Sequence, residues 1–139
     1  MTEEKFWDMI ALIDWRHEPD EKQMLRLLQV GLQREEPAEI ESFQRTLTEK
    51  LQALDTPIRY KAAKEPSGDC FLYLRLYVVG KGRAFYAHAG SVSRWMPDSL
   101  NWLEGLLYVA REAYLSKTGH ELPEFDGISH ESFTSAAWK

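Results

Sequence analysis

Cys70 is the only cysteine in the chain. It can therefore close no intrachain disulfide and build no multi-cysteine zinc site, and a reducing compartment is the natural setting. Long apolar runs are missing as well. No stretch approaches the roughly 18–20 residues of a membrane span, and the opening MTEEKFWDMI is acidic and amphipathic where a signal peptide is basic and then continuously apolar. The expectation is a soluble, cytoplasmic protein with no membrane partner. Positive charge is scarce: the net charge is −5, with 15 Asp/Glu against 10 Lys/Arg in residues 1–69 and 7 of each in residues 70–139. An acidic chain repels phosphate backbones, which argues against nucleic acid and in favour of a basic protein partner.

Recognised reaction motifs are absent too. Gly80-Lys81-Gly82 has neither the G-x-x-x-x-G-K-[ST] spacing of a phosphate loop nor the dinucleotide fingerprint, and Gly82 reads as a place where a helix bends or packs closely. His120, Glu121, Glu124, Asp126 and His130 lack any ligand spacing and read as a solvated loop. Cys70 has no base identifiable nearby in sequence, Ser91, Ser93 and Ser135 lack a nucleophile-elbow context, and His17 and His88 stand alone. No catalytic residue, metal site or cofactor is expected.

What the chain does have is helical periodicity. Phe6, Ile10 and Ile13, with Trp7 beside them, mark a first helix whose opening turn carries Glu3 and Glu4. Pro19 opens a second segment with Met24, Leu27, Leu28 and Leu32 on one side. Pro37 opens a third with Ile40, Phe43, Leu47, Leu51 and Leu54 at steps of three and four. Asp55-Thr56-Pro57 stops it, and Lys64 to Gly68 form a turn-rich break. After Pro97-Asp98-Ser99, a stripe of Leu103, Leu106, Leu107, Ala110 and Tyr114 ends at Lys117 and Gly119, the latter suited to a left-handed stop. The tail from His120 to Lys139 lacks a period, and Phe125, Phe133 and Trp138 are expected to pin it over the helices.

Residues 67–90 are the ambiguous part. Phe71, Tyr73, Arg75, Tyr77 and Val79 alternate with Leu72, Leu74, Leu76 and Val78, which suits a strand. A segment apolar on every side also suits a central helix with Asp69 as its N-cap. The fold class is therefore all-α, one domain over residues 1–139 with an irregular C-terminal tail; the alternative is α+β with residues 71–79 as a strand.

Several short motifs together resemble a known family. They are Phe6-Trp7-x-x-Ile10, Ile40-x-x-Phe43, Ser67-x-Asp69-x-Phe71-x-Tyr73-x-Arg75 with Gly82 seven residues on, Pro97-Asp98-Ser99-Leu100, Ala113-Tyr114 and Lys117-Thr118-Gly119. Over nearly its whole length the chain resembles the bacterial domain of unknown function 4240. Where that family's central motif has adjacent aspartates this chain has Gly68-Asp69, and it has Leu74 for Phe and Tyr77-Val78-Val79 for Trp-Leu-Ile. The resemblance implies a mostly helical domain and no established activity.

Two function classes follow. One is a non-catalytic protein-binding module, of the immunity or antitoxin kind, that neutralises a basic partner such as a toxin. Its contact residues would be Glu35, Glu36 and Glu39, with Trp15 and Trp95 as exposed aromatic anchors. The other is a small enzyme or ligand-binding domain with a pocket, or a structural polar cluster, around Asp69, Arg75 and Glu104. Arg75, a lone charge in the apolar run, is expected to pair with Asp69 or Glu104. A helical, buried Leu74 leads to a direct prediction. Leu74→Asp places a carboxylate in the core without a partner, costing about 5 kcal/mol or more, comparable to a small domain's whole stability; circular dichroism should show an unfolded chain.

Overall fold

The computed structural model describes residues 1–98 and 100–124. Among these, seven α-helices and no strand are present, so the helical expectation holds and the strand alternative for residues 71–79 is overturned. The tail expectations at Phe125, Phe133 and Trp138 lie outside the described residues.

Four of the seven helices start where a short polar side chain satisfies a free amide. α1 (Glu3–Ile10) begins behind Thr2, whose hydroxyl accepts from Lys5 N at 3.1 Å. It buries Phe6, Trp7, Met9 and Ile10, while Ile13 is buried just beyond its end. A 3-10 turn (Trp15–His17) follows. α2 (Glu21–Gln33) starts at Asp20, which accepts from Gln23 N at 3.3 Å, and so begins just after Pro19. α3 (Pro37–Ala53) has Pro37 in its first turn, as the sequence suggests.

The Asp55-Thr56-Pro57 stop is also a start. Thr56 accepts from Arg59 N at 3.3 Å and Pro57 opens a short α4 (Pro57–Ala62) that the periodicity did not reveal. Lys64 and Glu65 then take left-handed φ values of 65° and 51°, turning the chain into α5 (Gly68–Gly80). Its N-cap is Ser67, which accepts from Cys70 N at 3.2 Å, and not Asp69, which sits in the first turn. At Gly82 the helix does not bend but breaks. With φ of 106° this residue adopts a conformation that side chains resist, and α6 (Arg83–Ser91) begins behind it. The last stripe is shorter in structure than in sequence: residues 104–107 form a 3-10 turn and only Val109–Thr118 is the α-helix α7. Gly119, at φ of 75°, supplies the expected left-handed stop.

α5 is the centre of the molecule. Phe71, Leu72, Leu74, Leu76, Val78 and Val79 are all buried, against α3, α6 and the 104–107 turn. α7 packs against α2 and α3, and α1 against the same pair. Two glycines let the 103–107 segment come close. A Cβ on Gly80 would lie 2.5 Å from Leu103 Cδ2, and one on Gly105 would lie 2.7 Å from Leu25 Cδ1.

Two arginines are buried in this core, and both serve helix ends. Arg75 has no exposed surface; its Nη1 donates to Leu51 O at 3.0 Å in the last turn of α3, its Nε to Phe71 O at 3.4 Å, and its guanidinium lies 4.8 Å from the Phe71 ring centroid. The carboxylate that acts on it is Asp55 rather than Asp69 or Glu104, and removal from water still pulls its pKa down to about 10. Arg59 donates from Nη1 to Ala89 O at 2.9 Å and Trp95 O at 3.2 Å, tying the end of α6 to the following loop. A cation there also opposes the negative end of a helix dipole. Arg75→Met keeps the stem and removes the donors, leaving Leu51 O without its charged partner. The expected loss is about 3 kcal/mol, read as a lower urea midpoint; an unchanged midpoint would mean that the guanidinium contributes nothing to the fold.

Candidate functional site: an aromatic and acidic strip over α5

A helix buried on nearly every side still has one outward row, and in α5 it falls at steps of four. Asp69 and Lys81 are exposed, and Tyr73 and Tyr77 are half-buried between them. Other aromatic residues flank this row. Trp102 lies 5.9 Å from Tyr73, Trp15 lies 5.4 Å from Tyr77, Phe85 lies 6.2 Å from Tyr77, and Trp95 continues the line at 5.6 Å from Phe85. His88 closes it, 5.9 Å from Trp95. The rings form one surface strip that crosses the 3-10 turn at Trp15, α5, α6 and the loop before α7.

The acidic groups gather at the Trp102 end. Burial and a hydrogen bond with Glu104, with Asp69 beyond it, push the Tyr73 phenol up to about 12. Desolvation and Glu18 raise Tyr77 as well. At the opposite end Lys81 sets its ammonium 4.5 Å from the Trp15 ring centroid, with Tyr77 and Phe85 further out at 5.8 and 6.0 Å. Cation and ring attract each other through the ring quadrupole.

Four residues singled out in the sequence therefore share this face: Trp15 and Trp95 along the aromatic line, Asp69 and Glu104 beside Tyr73. Arg75 does not, because it projects to the α3 side of the same helix. The two expected anchors are only partly exposed. Trp15 donates its indole N–H to Gly80 O at 3.2 Å, which holds it against the end of α5. Trp102 is 53% exposed, and Leu100 nearby is 82% exposed. Sequence reasoning missed both. The available signal was their position in an aperiodic stretch between Pro97 and the stripe beginning at Leu103.

The acidic trio lies elsewhere. Lys5 Nζ is 2.8 Å from Glu35 and 3.5 Å from Glu39, and the Met1 amino group is 3.4 Å from Glu39. Glu36 stands exposed at the N-cap of α3 without making a cap bond. Two of the three carboxylates are thus already compensated by the chain's own cations.

Of three concavities in the described surface, one adjoins the strip. The groove between α2 and α7 measures about 470 Å³ and mixes Lys22 and Arg26 with Glu21 and Glu112. A hollow of about 600 Å³ lies between α7 and residues 121–124. The third, about 320 Å³, adjoins Trp102 and is lined by Glu18, Glu21, Met24, Leu100 and Glu104 among others. Glu21, which also lines the α2–α7 groove, accepts from Gly105 N at 2.6 Å. Among the described residues no group of three or more His, Cys, Asp or Glu could hold a metal ion. Cys70 is half-buried in the first turn of α5, and Asp126 and His130 lie outside the described residues. No described helix is long and apolar enough to cross a membrane.

The fold and this surface define a small helical domain organised around one apolar helix. More particularly, residues 1–116 match the model for the protein of unknown function family DUF4240, and the chain belongs to that family. No curated protein and no solved structure matches it.

Tyr73 provides a test of the acidic end. Its folded pKa, about 12, lies above the unfolded value of about 10, so its contribution to stability is complete below pH 10 and is lost as pH rises through 12. Tyr73→Phe should remove this alkaline dependence, and Glu104→Gln should lower the Tyr73 pKa in an ultraviolet tyrosinate titration. A Tyr73 titration unchanged by Glu104→Gln would separate the two groups.

Proposed function

We propose that this chain is a non-catalytic protein-binding module whose contact face is the aromatic strip over α5. Its partner is a basic protein, of the kind that an immunity or antitoxin-like protein neutralises, a basic toxin being the case considered from sequence. The observation that carries the reading is the exposure of Leu100 (82%) and Trp102 (53%) beside Glu104 and Glu18. Large exposed aromatic side chains at the centre of a patch are the usual anchors of protein interfaces. Carboxylates around them add steering and select a cationic partner. Glu35, Glu36 and Glu39 then contribute mainly through the long-range field, since Lys5 and the Met1 amino group hold two of them. A cytoplasmic, bacterial setting accompanies the proposal.

The alternative, a ligand pocket around Asp69, Arg75 and Glu104, has weaker support. Arg75 is committed to Leu51 O and Phe71 O on the far side of α5 from the other two. Affinity capture from the producing cells tests the choice. A stoichiometric basic protein should be retained at low salt, released as salt rises past the range where surface charges are screened, and lost with the double variant Leu100→Ser, Trp102→Ala. Absence of any stoichiometric partner, or equal capture by the variant, would overturn the reading.

A further inference from the structure

We infer that the cleft beside Trp102 receives one arginine side chain of the basic partner. This deepens the protein-binding reading and rests on it. The cleft has two kinds of wall. Met24, Leu100 and Trp102 are apolar, and Glu18, Glu21 and Glu104 bring three carboxylates. Among the described residues no lysine or arginine lines it. At about 320 Å³ it sits at the low end of the range for small-molecule pockets. That size, an apolar slot and an acidic rim match a long basic side chain, which buries its stem and keeps its charged head among polar groups.

The strip itself shows which chemistry it accepts. At the opposite end the chain's own Lys81 ammonium rests 4.5 Å from the Trp15 ring centroid, next to Tyr77, on which Glu18 acts. Ring and cation already meet there. At the Trp102 end the ring and the carboxylates are present, and the cation is what a partner would bring. Arginine fits better than lysine because a planar guanidinium can stack on an exposed indole while donating two parallel bonds to a carboxylate. The carboxylates are placed for this. Glu21 has one oxygen fixed on Gly105 N, and Glu104 is held by the Tyr73 hydroxyl, so neither needs ordering on binding.

The test uses the whole chain and a blocked Gly-Arg-Gly tripeptide, followed by nitrogen-edited NMR. The tripeptide should produce saturable shifts of the Trp102 indole and Gly105 amide signals in the millimolar range expected for one side chain. The matched citrulline peptide, isosteric but uncharged, should bind about tenfold more weakly or not at all, and the lysine peptide more weakly than arginine. Glu18→Gln with Glu104→Gln should weaken binding by a similar factor while signals distant from the cleft stay in place. The inference is overturned by the absence of saturation at about 50 mM, by equal binding of citrulline or lysine, by indifference to the double variant, or by shifts centred on Glu35 and Glu39 instead. If the basic partner is captured and the tripeptide fails, the protein-binding reading stands and the arginine cleft falls. If the tripeptide binds and no partner is captured, the cleft keeps its guanidinium preference and the protein-binding reading falls.

Discussion

The structure depends on a single difficult placement: a guanidinium at the centre of an apolar helix. α5 is apolar on all but one row because it is surrounded, and a charge inside such a helix is tolerable only where acceptors are already fixed. The end of α3 provides them. The last carbonyls of a helix lack the regular partner four residues on, and Leu51 O, met by Leu54 N at 3.2 Å, gains a second, charged donor from Arg75. The same exchange recurs at α6, whose terminal carbonyl at Ala89 is met by Arg59. Buried cations and helix ends satisfy one another, and the packing of α3, α4, α5 and α6 follows from where those ends lie.

This arrangement divides the chemistry of α5 between two sides. Arg75 faces inward and is used up in holding α3. Asp69, Tyr73 and Tyr77 face outward, where the neighbouring turns add indole and phenyl rings to their own. A helix that is polar on its outer face would offer solubility alone. Here the outer face carries aromatic area with carboxylates at one end and an ammonium at the other, a surface whose two ends differ in charge. Such a surface gives a docking partner an orientation as well as a position.

Much of the fold was legible because amphipathic helices write their period into the sequence. α3 could be read residue by residue from Ile40 to Leu51, and Pro37 and Gly119 marked ends as their backbone preferences require. α5 was not decidable by the same means, since a helix buried on nearly every side has no polar face to set a phase. α4 went unseen because Thr56-Pro57 carries a stop and a start in the same two residues. At the site, residue types were informative and placements were not. Trp15 and Trp95 were expected as exposed anchors, yet both are only partly exposed and only the fold brings them into line through Tyr77 and Phe85. Arg75 could not be assigned from sequence because it donates to backbone carbonyls, at Leu51 and Phe71, which every residue has.

The indole bond of Trp15 bears on how the chain comes together in time. It reaches across 65 residues to the final carbonyl of α5. A contact this distant in sequence closes late, because the entropy of a long loop must be met before the bond returns anything. The last turn of the central helix is therefore finished by a side chain synthesised well before it. Shortening the chain from its first residues would accordingly strip the contacts of Lys5 and Phe6 with α3 first, whereas a cut past Trp15 would also free the far end of α5.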